Sequence, residues 1–181
     1  MNVIFLDFDG VLATLNDPEN EDLFYSKVEQ RISILSDICK KYNCKIVIEA
    51  SARNAINEKT LEIDEDNLWV QFIFNMFKKY NIECIGRTPT ITYEKDGIIT
   101  TSNKDDEILL YLSKHPEIEH YCVLDDNDTV NLFHWEVSDL DKVKEHLVSP
   151  LYYSNNYEEE GLLPKHIEEV GRVLALKTNK K

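Results

Sequence analysis

Four aspartates, one lysine and a Ser-Ala-Arg turn stand where chemistry could be done. Asp7 and Asp9 lie two residues apart, with Gly10 behind them, and Asp125 and Asp126 are adjacent. Ser51, Ala52 and Arg53 follow an apolar run, and Lys104 opens a helical pattern that precedes the second acidic pair. Four carboxylates brought together cannot all stay ionised unless a cation sits among them. Oxygen-only ligands select a hard ion, and Mg²⁺ takes a few carboxylates with waters and a substrate phosphate. Such an ion makes a phosphoryl group approachable despite the acidic surroundings. One carboxylate can then attack phosphorus and become an aspartyl-phosphate. Another, two residues along, can protonate the leaving oxygen and later activate water. Lys104 would hold the nucleophile and a phosphoryl oxygen by charge, and the Ser51 hydroxyl would donate to another.

These residues need a frame that brings them together. Residues 2–8 read as a buried strand ending in acid, followed by a loop over 11–20. Leu23, Phe24, Val28, Ile32, Leu35, Cys39 and Tyr42 predict a helix over 21–42, closed by Asn43. Residues 44–50 predict a second strand, and SARN a polar turn. A helix over 68–80 with Asp66 as cap and a strand over 82–86 come next. Residues 87–102 read as a loop or hairpin around Asp96-Gly97. A helix over 103–115 starts from a Ser102/Asp105 capping box and is ended by Pro116. Residues 120–124 predict a strand stopping at Asp125. Beyond it the pattern gives a strand or loop at 132–137, a helix over 140–147 and a short strand at 151–153. The last helix is expected over 164–176, with Pro164 at its first position. Strands alternating with helices make the class α/β, a Rossmann-like three-layer sandwich with a mostly parallel sheet. Ligands of such sheets bind beyond the carboxyl ends of the strands, and Asp7, Asp9, Ser51, Arg53, Lys104, Asp125 and Asp126 could all project into one crevice there.

The chain has 181 residues, which suits one domain over 1–181, and a net charge of −14. A field of that sign repels phosphate backbones, so non-specific nucleic-acid binding by a basic surface is excluded. The four cysteines form no C-x-x-C pair and read as buried thiols. Neither a signal peptide nor an apolar run of about 18 residues is present, so a soluble, cytoplasmic protein without membrane contact is expected. Arg53 and Arg87 suit either a phosphate contact or an ion pair. The five histidines, the Trp69 stripe and the 158–160 acidic run read as structural or surface features.

DFDGV after a buried N-terminal strand resembles the first motif of the haloacid-dehalogenase-like (HAD) phosphohydrolase superfamily, D-x-D-G-[VT]. IVIEASAR resembles the second motif, a strand ending in Ser or Thr; Lys104 fits the third and LDD at 124–126 the fourth. All four occur in family order over residues 1–128. GLLPKHIEEVGRVL at 161–174 is similar to the final helix of small HAD proteins with an S-S-W-R second motif, which include phosphatase domains of RNA-repair proteins. The resemblance implies Asp7 as nucleophile and Mg²⁺ ligand. It implies Asp9 as general acid/base with its carbonyl on the metal, Asp126 as a direct ligand and Asp125 as a direct or water-mediated one. Ser51 and Lys104 would bind the phosphoryl group, with Gly10, Ala52 and Arg53 completing the phosphate-facing set. S-S-W-R reads here Ala50-Ser51-Ala52-Arg53, without the Trp, and Ala50 competes with Ser51 for the hydroxyl position. A short flap and no full cap domain are expected. An open site of that kind suits a phosphorylated substrate with a large body, such as a nucleic-acid end or nucleotide. Oligomeric state is left open. Two rivals remain: a catalytically silent HAD-fold scaffold, and a glycosyltransferase using Asp7-Phe8-Asp9 for a nucleotide-sugar–metal complex. The second has no use for Lys104 and the later acidic pair.

Overall fold

Val3, Ile4, Phe5 and Leu6 have no exposed surface, and successive residues enter different cores: Ile4 and Leu6 one, Val3 and Phe5 the other. A strand covered on both faces requires this continuous apolar run. The structure, a computed structural model, describes residues 1–95, 97–126 and 140–176. The run is β1 (Asn2–Leu6), the centre of a five-stranded sheet with β2 (Cys44–Ile48), β3 (Cys84–Arg87), β6 (His120–Leu124) and β7 (Leu147–Val148). The order is β3-β2-β1-β6-β7 and every pairing is parallel. The connections reverse direction between β1 and β6, which opens a crevice at their carboxyl ends.

Helices cover both faces, so the expected three-layer α/β sandwich is present. α1 (Glu21–Tyr42), α2 (Leu68–Tyr80) and α4 (His166–Leu174) send Ile32, Leu35, Ile73, Phe77 and Val170 against Ile4 and Leu6. α3 (Lys104–Lys114) and the 3₁₀ turn Asp141–His146 send Ile108, Tyr111 and Val143 against Val3 and Phe5. A separate two-stranded hairpin, β4 (Thr92–Lys95) and β5 (Ile98–Thr101), rises between β3 and α3 as the short flap. No described helix is long and apolar enough to cross a membrane.

Several boundaries differ from the sequence reading, each for a local reason. Asn67, not Asp66, caps α2 by accepting from the Val70 N–H at 3.0 Å. The N-cap position of α3 is Asn103, not Ser102, and it has no side-chain cap, because both capping-box residues are bonded elsewhere. Ser102 Oγ donates to Glu107 at 3.4 Å, and Asp105 accepts the Lys142 N–H at 3.1 Å. The region expected as helix over 140–147 is a 3₁₀ turn running into β7, and Leu151 makes isolated bridges to Glu160 and Gly161 instead of a strand. Pro164 lies in the turn before α4, which starts at His166. Residues 132–137 lie outside the described residues. Glu160 is buried, not solvated. All four cysteines are free, with Cys39, Cys44 and Cys122 buried.

Candidate active site

Strand register places the site. Leu6 pairs with Ile48 on one side and Leu124 on the other. The next residue on each strand is therefore in line: Glu49, Asp7 and Asp125. Backbone bonds extend the ladder that far, with Asp7 N–H to Leu124 O and Glu49 N–H to Leu6 O, both at 2.9 Å. Three buried carboxylates thus stand side by side on adjacent strands. Glu49 faces the crevice, with Oε2 3.6 Å from Lys104 Nζ. The signal that finds it is the register count, since Glu49 stands to β2 as Asp7 stands to β1.

Lys104, the first residue of α3, lies over the row. Its Nζ is 2.8 Å from Asp7 Oδ2, 2.7 Å from Asp125 Oδ2 and 3.6 Å from Glu49 Oε2. Burial opposes the charge on Lys104, but Glu49, Asp7 and Asp125 outweigh it and hold the ammonium firmly protonated. One cation does not neutralise three carboxylates. Burial pushes Asp7 up to about 6, assisted by the Asp125 charge and opposed by Lys104. Burial, with the charges of Asp125 and Asp7, pushes Asp126 to about 7. Glu49 is raised well above the usual carboxylate range, first by burial.

The loop after β1 carries the other acidic groups. Asp7 Oδ1 accepts the Phe8 N–H at 2.7 Å, and Phe8 is buried edge-on against Trp69. That anchor leaves Asp9 exposed at the mouth, its pKa raised by partial burial and by Asp7. Gly10 turns the chain at φ +73°, and a Cβ there would lie 2.2 Å from Asp126 Cγ. Only glycine lets the loop and the second acidic pair approach so closely.

After β2 the chain enters a 3₁₀ turn, Ser51–Ala55. Ser51 is exposed at its start, whereas the buried Ala50 already gives its N–H to Leu6 O at 3.3 Å. Ala52 is half-buried against the core. Arg53 is buried, and its guanidinium donates to Glu107 Oε2 and to the carbonyls of Glu49 and Ala50. Glu107 Oε1 also accepts the Ile91 N–H at 3.1 Å and the Ser102 hydroxyl. Arg53 and Glu107 therefore tie the turn, the base of the hairpin and α3 together. Arg87 lies 3.9 Å from Glu58.

A hard divalent cation fits this donor set. Asp7, Glu49 and Asp125 each offer an oxygen within 4.8 Å of the others. Both Glu49 oxygens are buried and accept no hydrogen bond among the described residues. The tightest cluster includes Glu49, whereas the sequence reading grouped Asp7, Asp9, Asp125 and Asp126; Asp9 and Asp126 flank it. A measurable consequence follows for the metal-free protein. Asp7 and Asp126 bind protons more tightly folded than unfolded, so the stability this gives is full below about 3.8 and lost as pH rises through about 6 and 7. In EDTA the melting temperature should fall by several degrees between about pH 5.5 and 8, with added Mg²⁺ restoring it at the higher pH. Calorimetry at the two pH values checks this; a flat profile unmoved by metal would contradict it.

No curated protein and no solved structure matches the chain. One family model does, described as HAD domain in Swiss Army Knife RNA repair proteins, and it spans residues 3–152, from β1 through β7 and both acidic pairs. By that match over most of its length, as by its sheet order and the residues at its crevice, the chain belongs to this family of HAD domains.

Proposed function

We propose that the chain is a Mg²⁺-dependent phosphomonoesterase working through Asp7, with the terminal phosphate of a nucleic-acid end or nucleotide as substrate. The observation that carries this reading is the pairing of Asp7 with Lys104 at 2.8 Å, on the central strand, with Asp9 at the open mouth two residues on. An oxygen of Asp7 attacks phosphorus, and the bond to the leaving oxygen breaks as Asp9 gives it a proton. Asp9 then takes a proton from water, whose oxygen attacks the phosphoaspartate and frees phosphate and Asp7. Lys104 fixes Asp7 and balances charge on the transferring group. Asp7, Asp125, Asp126 and the Asp9 carbonyl would hold Mg²⁺, which would supply the positive field that admits a phosphate to an acidic crevice. The exposed Ser51 hydroxyl is the phosphoryl donor of the second loop, because the Ala50 N–H is already bonded. Arg53 acts as a brace, not a phosphate ligand. The RNA-repair description of the family and the short flap support a substrate with a large body.

The test is release of phosphate from p-nitrophenyl phosphate and from oligonucleotides with a terminal phosphate, with Mg²⁺ and with EDTA. Turnover that disappears in EDTA is expected; metal-independent turnover would refute the mechanism. A silent scaffold is the second reading, favoured by Glu49, a third carboxylate competing for Lys104. It predicts no turnover of any phosphomonoester and no uptake of beryllium fluoride at Asp7.

A further inference from the structure

The rim of the crevice concentrates exposed apolar surface. Among the described residues, eight large apolar or aromatic side chains are well exposed. Leu15, Leu23, Leu68, Tyr93, Tyr153 and Tyr157 stand on the loop after β1, the first turns of α1 and α2, the hairpin, and the segment after β7. In a parallel sheet all of these lie at the carboxyl edge, the edge that carries Asp7. The other two, Leu109 and Leu176, lie elsewhere. Single exposed apolar residues are ordinary, but a ring of them around one opening marks a binding surface.

Two of the tyrosines frame a shaped cavity. Asn16, Tyr153, Ser154, Asn155 and Tyr157 line a pocket of about 330 Å³. A buried carboxylate fixes its walls: Glu160 Oε1 accepts Asn16 Nδ2 and the Ser154 N–H, each at 2.6 Å. The Leu15 N–H bonds Tyr152 O at 3.2 Å, joining the two loops. The pocket is also close to the chemistry. The Gly10 N–H bonds Ala13 O at 2.6 Å, so Ala13 sits beside the catalytic loop. The three residues from Ala13 to Asn16 reach at most about 11 Å.

Charge narrows the occupant. The chain carries −14, and the exposed Glu158 and Glu159 directly follow Tyr157. Such a wall repels a run of phosphates. It leaves ring faces for stacking, and amide and hydroxyl edges for hydrogen bonds, which is how unstacked bases are read. We propose that the Tyr153–Tyr157 pocket seats the terminal base of an unpaired nucleic-acid strand whose phosphomonoester lies at Asp7. The proposal deepens the phosphomonoesterase reading and rests on it for the position of the phosphate.

The experiment measures binding, with turnover removed by Asp7→Asn and Mg²⁺ present. The probes are a single-stranded tetranucleotide with a terminal phosphate and the same backbone with abasic sites. The base-bearing strand should bind about tenfold tighter or more. Tyr153→Ala and Tyr157→Ala should each remove most of that difference, and Tyr157→Phe, which keeps the ring, should retain it. Affinity should change little between about 50 and 200 mM salt, since bases rather than phosphates carry it. Equal binding of the abasic strand, indifference to both tyrosines, or tighter binding of a phosphopeptide would overturn the proposal. Because binding is read directly, a protein with no phosphatase activity could still pass, and an active phosphatase could still fail.

Discussion

Asp7→Asn should lower phosphate release by about 10⁴-fold or more while leaving the fold intact. The side chain keeps its shape, and its amide oxygen can still accept the Phe8 N–H that Asp7 Oδ1 accepts at 2.7 Å. The anionic nucleophile is lost, so no acyl-phosphate can form. Most active-site truncations also disturb structure, but this one relieves crowding. Asp7 is raised to about 6 by burial and by Asp125, so its ionised form is disfavoured there at pH 8. Lys104 keeps Asp125 at 2.7 Å as a partner. The variant should therefore melt no earlier than wild type at pH 8. Parallel assays of phosphate release and thermal unfolding check both halves. Residual turnover within about tenfold of wild type would remove Asp7 from the nucleophile's role.

Arg53→Ala should cost about 3–5 kcal/mol, because it leaves a buried carboxylate without its cation. Glu107 is 1% exposed and keeps the Ile91 N–H and Ser102 hydroxyl on one oxygen while the other loses its charged partner. For a chain of this size the melting temperature should drop by about 6–20 °C. The double change Arg53→Met with Glu107→Leu should recover much of that loss, since it removes both buried charges together. A phosphate-gripping arginine would behave otherwise: KM would rise, the melting temperature would hold, and the double change would rescue nothing. Thermal melts of the three variants with KM for p-nitrophenyl phosphate separate the two roles.

What the sequence made legible was whatever depends on periodicity and local caps. α1 over Glu21–Tyr42 and α2 over Leu68–Tyr80 follow from apolar spacing, with Asn43, at positive φ, closing the first. β6 follows from HYCVL and the acidic stop. The hairpin follows from Asp96-Gly97, with Asp96 itself outside the described residues. What stayed hidden depends on partners far along the chain. β7 has two residues, and pairing with Val123 and Leu124, not propensity, makes it a strand. Ser102 and Asp105 spell a capping box, yet Asp105 is taken by the Lys142 N–H, 37 residues on, and the N-cap position of the helix is Asn103. Glu49 joins the acidic row through register with β1, which no local pattern encodes. Arg53 suits a phosphate contact or an ion pair equally in the sequence, because its carboxylate partner, Glu107, is 54 residues away.

The central position of β1 has a consequence for how the protein is made. The strand that leads into Asp7 is synthesised well before its second neighbour, β6, which is completed at Leu124. At synthesis rates of about 5–20 residues per second the interval is on the order of ten seconds. During it a fully apolar segment has one paired edge at best, the arrangement most prone to wrong association. Lys104 and Asp125 arrive with the same late segment, so neither the acidic row nor its cation exists earlier. Asp7 is the first member of the acidic row to be synthesised, and the row is complete only once the chain has reached Asp125.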